Sequence, residues 1–299
     1  MYMSVIDASR VGDHKKLAEE LIKIWKPGVS DNETKIKIVK TVKKALRVAA
    51  INSHVKCVKI LLKTGINPNT FNPVFTTSSS VTSLCKATDS CKDTSEIIKT
   101  VDILLDAKVS VNLGQPIKNA INRGNTDLVT HLLSKNANLN NIDREFVHVA
   151  ERGDMAMMAL IDSEFTNYTG LPNSAEMHSL MFNSRVYQCI SVAVTGNSAK
   201  TNEMVDYMIQ KKADLNSMSS DDISLLCVAA YKGNMDVVHR LTDAKVLVDY
   251  HDRPDKQPLY HAYISQKADT IKYFTDTGKY TEEQINEIKK LSSHDDYWM

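Results

Sequence analysis

The sequence is poor in aromatic residues, at 6% of 299, and holds only 10 glycines and 7 prolines. An all-β chain needs aromatic and β-branched strands punctuated by frequent Gly and Pro turns, so this scarcity favours helices. The five cysteines (Cys57, Cys85, Cys91, Cys189, Cys227) are odd in number and contain no C-x-x-C pair. That excludes a disulfide framework and points to reduced thiols in a cytoplasmic compartment. No run approaches the ~18 consecutive apolar residues of a membrane span. The opening MYMSVIDASRVGDHKK has no apolar h-region either, so a soluble, unanchored protein is expected. Charge of one sign is also lacking: 37 Lys and Arg against 36 Asp and Glu leave a formal +1, which implies no global polyelectrolyte partner.

Catalytic signatures are missing too. The nine histidines form no H-E-x-x-H or H-x-x-x-H pair, and Cys85 and Cys91 have no second pair nearby to complete a zinc site. Neither a phosphate-cradling G-x-x-x-x-G-K-S/T, a G-x-G-x-x-G nor a G-x-S-x-G occurs. Cys189 and Cys227 fall on apolar helix stripes, where a thiol is an inert core residue. The expectation is a protein with no catalytic residue, no metal and no cofactor.

What the chain does contain is a repeated template. In the stretch Ser224 to Asp249, Leu226, Ala229 and Ala230 form a short apolar stripe at helical spacing. Gly233-Asn234 interrupts it, and a second stripe follows at Val237, Val238 and Leu241. Two short helices with one narrow apolar face each cannot close a core alone, so the unit must stack on copies of itself. Aligned on Ala229 with Gly233 four residues later, copies fall at Ala8 (Gly12), Ala49 (Ser53), Ala120 (Gly124), Val149 (Gly153), Val192 (Gly196) and Ala262 (Gln266). Ala87 supplies another with an altered turn. An apolar residue stands three before each anchor: Val5, Leu46, Leu84, Ile117, Phe146, Cys189, Leu226, Leu259. The small anchor lets neighbouring helices approach, and the glycine supplies the left-handed turn that ends the first helix. Each second helix leads to a β-like exit ending in Asn or Asp (Asn69, Asn112, Asn140, Asn216, Asp249), a residue type suited to a turn.

This pattern resembles ankyrin repeats, whose period is 33 residues and whose signature is T-P-L-H-x-A. The nearest match is Gln257-Pro258-Leu259-Tyr260-His261-Ala262, with Tyr260 at the His position. Anchor spacings of 41, 38, 33, 29, 43, 37 and 33 mark a divergent member, and the resemblance runs from about Met3 to Gly278. It implies an all-α solenoid of about eight helix-hairpin repeats with short β-like fingers. The expected divisions are a repeat block at 1–162, an insertion or hinge at 163–185, a second block at 186–278, and a capping helix and tail at 279–299. In the last, Thr281 caps a helix whose Ile285, Ile288 and Leu291 face inward.

Departures from the template carry the remaining information. Ser30-Asp31-Asn32-Glu33 reads as a capping box opening an unusually long helix with Ile36, Val39, Val42, Leu46 and Ala49 on its apolar side. Residues 15–63 carry thirteen Lys or Arg against four acids, a solvated basic face or a docking surface for an anionic lipid or acidic patch. No aromatic residues interleave with the lysines of 34–63, which argues against nucleic acid. The terminal run TEEQINEIKK also looks like the glutamate-rich signals of secreted bacterial effectors. Divergent ankyrin arrays are common among such effectors and among viral host-interaction proteins, which would place the chain in a host cytosol.

The resemblance implies a concave groove lined by finger tips and the exposed ends of the first helices, which would bind another protein with the chain acting as a monomeric scaffold. Carried onto this sequence, the partner-binding residues are Asn52, Phe71, Arg123, Arg144, Arg152, Tyr231, Lys232, Tyr250, His251 and Arg253, with Tyr and Arg the types that dominate affinity. The alternatives are an enzyme sited in the 163–185 insertion, or an adaptor for an anionic membrane surface through the basic N-terminal repeats.

Overall fold

The computed structural model describes residues 2–25, 31–69, 82–140, 142–167, 191, 199–248 and 253–293. They are helical, with no strand among them. Two compact units divide between Asn141 and Ile142.

Unit 1 is built of helices α1 (Tyr2–Val11), α2 (His14–Ile24), α3 (Asn32–Ile51), α4 (Val55–Leu62), α5 (Ser83–Thr88), α6 (Thr94–Asp106), α7 (Pro116–Asn122) and α8 (Thr126–Ser134). They pair as consecutive hairpins; α1, α3, α5 and α7 stack in one row and α2, α4, α6 and α8 in another. Unit 2 contains α9 (Asp143–Arg152), α10 (Met155–Asn167), α11 (Ala199–Gln210), α12 (Leu225–Lys232), α13 (Met235–Asp243), α14 (Pro258–Ile264), α15 (Ala268–Asp276) and α16 (Glu282–Ser292). Here α12 packs on α14, α11 on α13, and α16 on α14.

The described anchors all lie in the core. Ala49, Ala87, Ala120, Val149, Ala229 and Ala262 are fully inaccessible, and Ala8 nearly so. The apolar residues three before them (Val5, Leu46, Leu84, Ile117, Phe146, Leu226, Leu259) are buried as well. The first helix ends the same way in six hairpins. The residue four after the anchor is left-handed: Gly12, Ser53, Gly124, Gly153, Gly233 and Gln266 have φ of 80, 52, 67, 59, 69 and 54°. That bend turns the next N–H back onto the anchor carbonyl, as in Asp13 to Ala8 (3.0 Å), His54 to Ala49 (2.9 Å), Asn125 to Ala120 (3.0 Å) and Asn234 to Ala229 (3.1 Å). The same residue then starts the second helix. Side chains of Asp13, Asn125, Asp154 and Asn234 accept the N–H three residues on, each such cap contributing ~1 kcal/mol. The α5–α6 turn lacks the left-handed residue, and Ser90 N–H donates to Ala87 O at 3.1 Å instead.

The glycine has a second role. A Cβ on Gly12 would lie 2.7 Å from the His54 ring of the next hairpin, and one on Gly233 would lie 2.9 Å from the Lys267 side chain. His54 is held there because its Nε2 bonds Arg10 O at 3.0 Å.

Several expectations need correction. The exits form no strands in the described residues; an isolated bridge between Met218 and Ser224 is what remains of a β finger. The exit asparagines also do more than turn their own chain. Asn69 Nδ2 donates to Lys108 O and its Oδ1 accepts from Ser110 N–H, both at 2.9 Å, so the amide clamps the next exit. Asn112 repeats the clamp on Asn136 O (3.3 Å) and Asn138 N–H (2.9 Å), and Asn216 accepts from Leu247 N–H at 2.9 Å. The cap of α3 is Asp31, which accepts from Glu33 and Thr34 N–H, rather than Ser30. Within α3, Val42, Leu46 and Ala49 are buried as expected, but Ile36 is 55% and Val39 37% exposed. Thr281 caps α16 in a full capping box with Gln284, and Ile288 is buried, yet Leu291 faces solvent.

Candidate functional site

The ends of the first helices are where side chains leave the core. In α12, Leu225, Leu226, Ala229 and Ala230 are buried, whereas Tyr231 and Lys232 emerge into solvent in the last turn. Tyr231 is 45% exposed and the Lys232 ammonium lies over its ring, 5.8 Å from the centroid. Arg152 occupies the equivalent place at the end of α9 and is exposed, as is Arg144 in that helix's first turn. Asn52 stands at the end of α3, where its Nδ2 donates to Val48 O at 2.8 Å and leaves the amide half-buried.

Arg123, at the end of α7, reaches back to the preceding hairpin. Its Nη2 donates to Asp89 Oδ1 at 2.9 Å, and its Nη1 to Cys91 Sγ at 3.2 Å. The bond from Asp89 raises the guanidinium pKa further still. Sequence reasoning had placed Arg123 as a free groove residue; its tie to Asp89 and Cys91 was not foreseen, although the altered turn after Ala87 is what offers both groups. Beside it, Thr94, Gly124, Asn125, Thr126 and Asp127 line an open polar cleft. Arg253 is similarly engaged, with Nε 3.3 Å from Asp255 Oδ1 and Nη1 4.0 Å from Asp222 Oδ2. Phe71, Tyr250 and His251 lie outside the described residues, as does most of the 163–185 insertion.

The buried cysteines serve the joints between hairpins. Cys85 and Cys227 sit where the repeat signature has histidine. Thr82 Oγ1 and Ser224 Oγ donate to their sulfurs at 3.2 Å. Each thiol in turn donates to the loop ahead: Cys85 to Gly114 O (3.3 Å), Cys227 to Lys256 O (3.0 Å). Burial pushes the Cys227 thiol up to about 11 and raises Cys85 and Cys57 as well, so these groups are poor nucleophiles. The position that pairs with them, Tyr260-His261, places the His261 Nε2 in the interior without a hydrogen-bond partner. Burial, reinforced by Lys256 and opposed by Asp255, lowers its pKa to about 4.

Two further polar contacts had no sequence signal. Asp162, buried, accepts from Tyr207 Oη at 2.9 Å and pairs with Lys211 at 2.6 Å. Arg240 forks onto Asp206 from the neighbouring second helix. Both fix one hairpin to the next.

No curated protein matches the chain. Residues 45–73, which run from the buried half of α3 through α4 and its exit, match the family model of the ankyrin repeat. That segment is similar to an ankyrin repeat, and the turns and joints described above repeat its pattern along the described residues.

Proposed function

We propose that the chain is a non-catalytic, monomeric scaffold of about eight ankyrin-like repeats, closed by α16 as a cap, that binds another protein through the exposed ends of its first helices. Ankyrin repeats are generally protein–protein interaction modules and typically non-catalytic. The observation that carries the proposal is positional. At one fixed place, the end of the first helix, buried small residues give way to side chains that differ from hairpin to hairpin: Asn52, half-buried, and Arg123, Arg152, and Tyr231 with Lys232, exposed. Constant joints with variable exposed ends are what a specificity surface requires. The same reading counts Phe71, Arg144, Tyr250, His251 and Arg253 among the partner-binding residues. The free thiols of Cys57, Cys85, Cys91 and Cys227 favour a reducing cytosol, including that of a host cell.

The test is an affinity capture from eukaryotic cytosol with the full chain and its Tyr231→Ala/Arg253→Ala variant as paired baits. Both substitutions are at exposed positions, so circular dichroism should be unchanged. A protein held by the wild type and bound at least about tenfold more weakly by the variant supports the proposal, since loss of one aromatic or Arg anchor costs that much. Equal capture by two folded baits would place the binding surface elsewhere.

A further inference from the structure

From Thr34 to Thr88 the sequence contains no aspartate or glutamate, while it holds Lys35, Lys37, Lys40, Lys43, Lys44, Arg47, Lys56, Lys59, Lys63 and Lys86. The fold does not supply the missing acids. Of the elements packed on α3, α4 and α5 contain none. The α1 residue Asp7 is taken by Arg10 at 2.7 Å, and on α2 Glu20 is taken by Lys23 at 2.6 Å. Among the described residues, no basic group between Lys35 and Lys63 has a carboxylate within ion-pair reach; Lys37 instead lies over the Tyr2 ring, 5.1 Å from its centroid. The lysines of α3 therefore form no ion pair among the described residues.

The same surface is apolar in places. Ile36, Val39, Lys40 and Lys43 fall at i, i+3, i+4 and i+7, one stripe of α3 that flanks the buried face of Ile38, Val42, Ala45, Leu46 and Ala49. Ile36 and Val39 remain 55% and 37% exposed. Aliphatic side chains between unpaired lysines have no task on a nucleic acid, where phosphates meet cations and bases meet aromatic faces. They do have one on a lipid bilayer. There, an interfacial helix sinks its apolar residues into the acyl boundary while its lysines reach the headgroups. We infer that the α3 stripe Ile36–Val39–Lys40–Lys43 docks the protein on a bilayer rich in anionic lipid.

The test is co-sedimentation of the full chain with vesicles of phosphatidylcholine containing about one third phosphatidylserine, against vesicles of phosphatidylcholine alone, across a salt series. The expected result is partitioning onto the anionic vesicles only, weakening with salt. At ~1 kcal/mol per lysine, or about fivefold each, Lys40→Gln/Lys43→Gln/Lys44→Gln should lower it about a hundredfold. Ile36→Ser/Val39→Ser, which leaves the charge untouched at exposed positions, should lower it at least about fivefold without altering the circular dichroism. Anionic-vesicle binding that ignores the Ser variant would reduce the surface to general electrostatics and overturn the inference. So would absence of vesicle binding, or a double-stranded oligonucleotide that outcompetes the vesicles for the same lysines.

Discussion

Replacing Gly12 and Gly65 separately by alanine isolates what the turn glycine contributes to stacking. Both residues are left-handed, with φ of 80 and 77°. An alanine in that region costs ~1–2 kcal/mol at either site from its own backbone. Around Gly65 nothing lies within 4 Å of an added Cβ, so Gly65→Ala should show that cost and no more. At Gly12 the new methyl meets the His54 ring at 2.7, 2.8 and 3.0 Å, three ring atoms rather than a flexible chain end. The ring must swing away, and its bond to Arg10 O is lost, adding ~0.5–1.5 kcal/mol plus the lost packing. Gly12→Ala is thus expected to destabilise unit 1 by at least ~1 kcal/mol more than Gly65→Ala. Urea unfolding followed by circular dichroism measures both, and hydrogen exchange of the His54 amide, which donates to Ala49 O, localises the effect. In a His54→Ala background, where ring and bond are already gone, Gly12→Ala should cost only about what Gly65→Ala costs. Equal destabilisation by the two single variants, or the same excess in the His54→Ala background, would refute the account of this glycine as an inter-hairpin contact.

Two further outcomes follow from buried titratable groups. The His261 pKa of about 4 lies below its unfolded value of ~6.5, so the folded state holds fewer protons between the two. Stability should be fully present above pH 6.5 and fall as pH drops toward 4, by up to ~3 kcal/mol, and His261→Leu should flatten that window in denaturation curves at stepped pH. In a Cys189→Ser background, a thiol reagent should label Cys91 rapidly in the folded protein. Cys57, Cys85 and Cys227 should react only on unfolding, and equal rates for all would refute their burial.

Much of the fold was legible because its joints demand particular residue types. A carbonyl that must accept from five residues ahead, under a closely packed neighbour, requires a small anchor and a left-handed residue after it. Ala8, Ala120, Ala229 and their glycines advertise that requirement. Ser53 and Gln266 meet it without glycine and are recognisable only by alignment to the others. The exit asparagines were visible but their targets were not, because a period of residues does not say which backbone a side chain reaches across to. Ile36 and Val39 fit the helical period of the core face, yet α3 has 20 residues where α1 has 10 and α5 has 6, so its opening turns outrun any neighbour that could cover them. At the site, exposure of Tyr231 was predictable from its place after Ala230. The pairing of Arg123 with Asp89 and Cys91 depended on an expanded turn whose path the sequence does not encode in any motif.

The asparagine clamps give unit 1 a mechanical character. Asn69 grips Ser110 across 41 positions of chain, and Asn112 grips Asn138 across 26. Under tension along the chain each amide is a latch holding slack in reserve. Opening the first together with the α5–α6 hairpin would release up to about 140 Å of contour, and the second together with α7–α8 up to about 90 Å, at the ~3.4 Å per residue of an extended chain. Force would then be shed in unequal steps, one hairpin at a time, with the positions of two small amides setting the length of each.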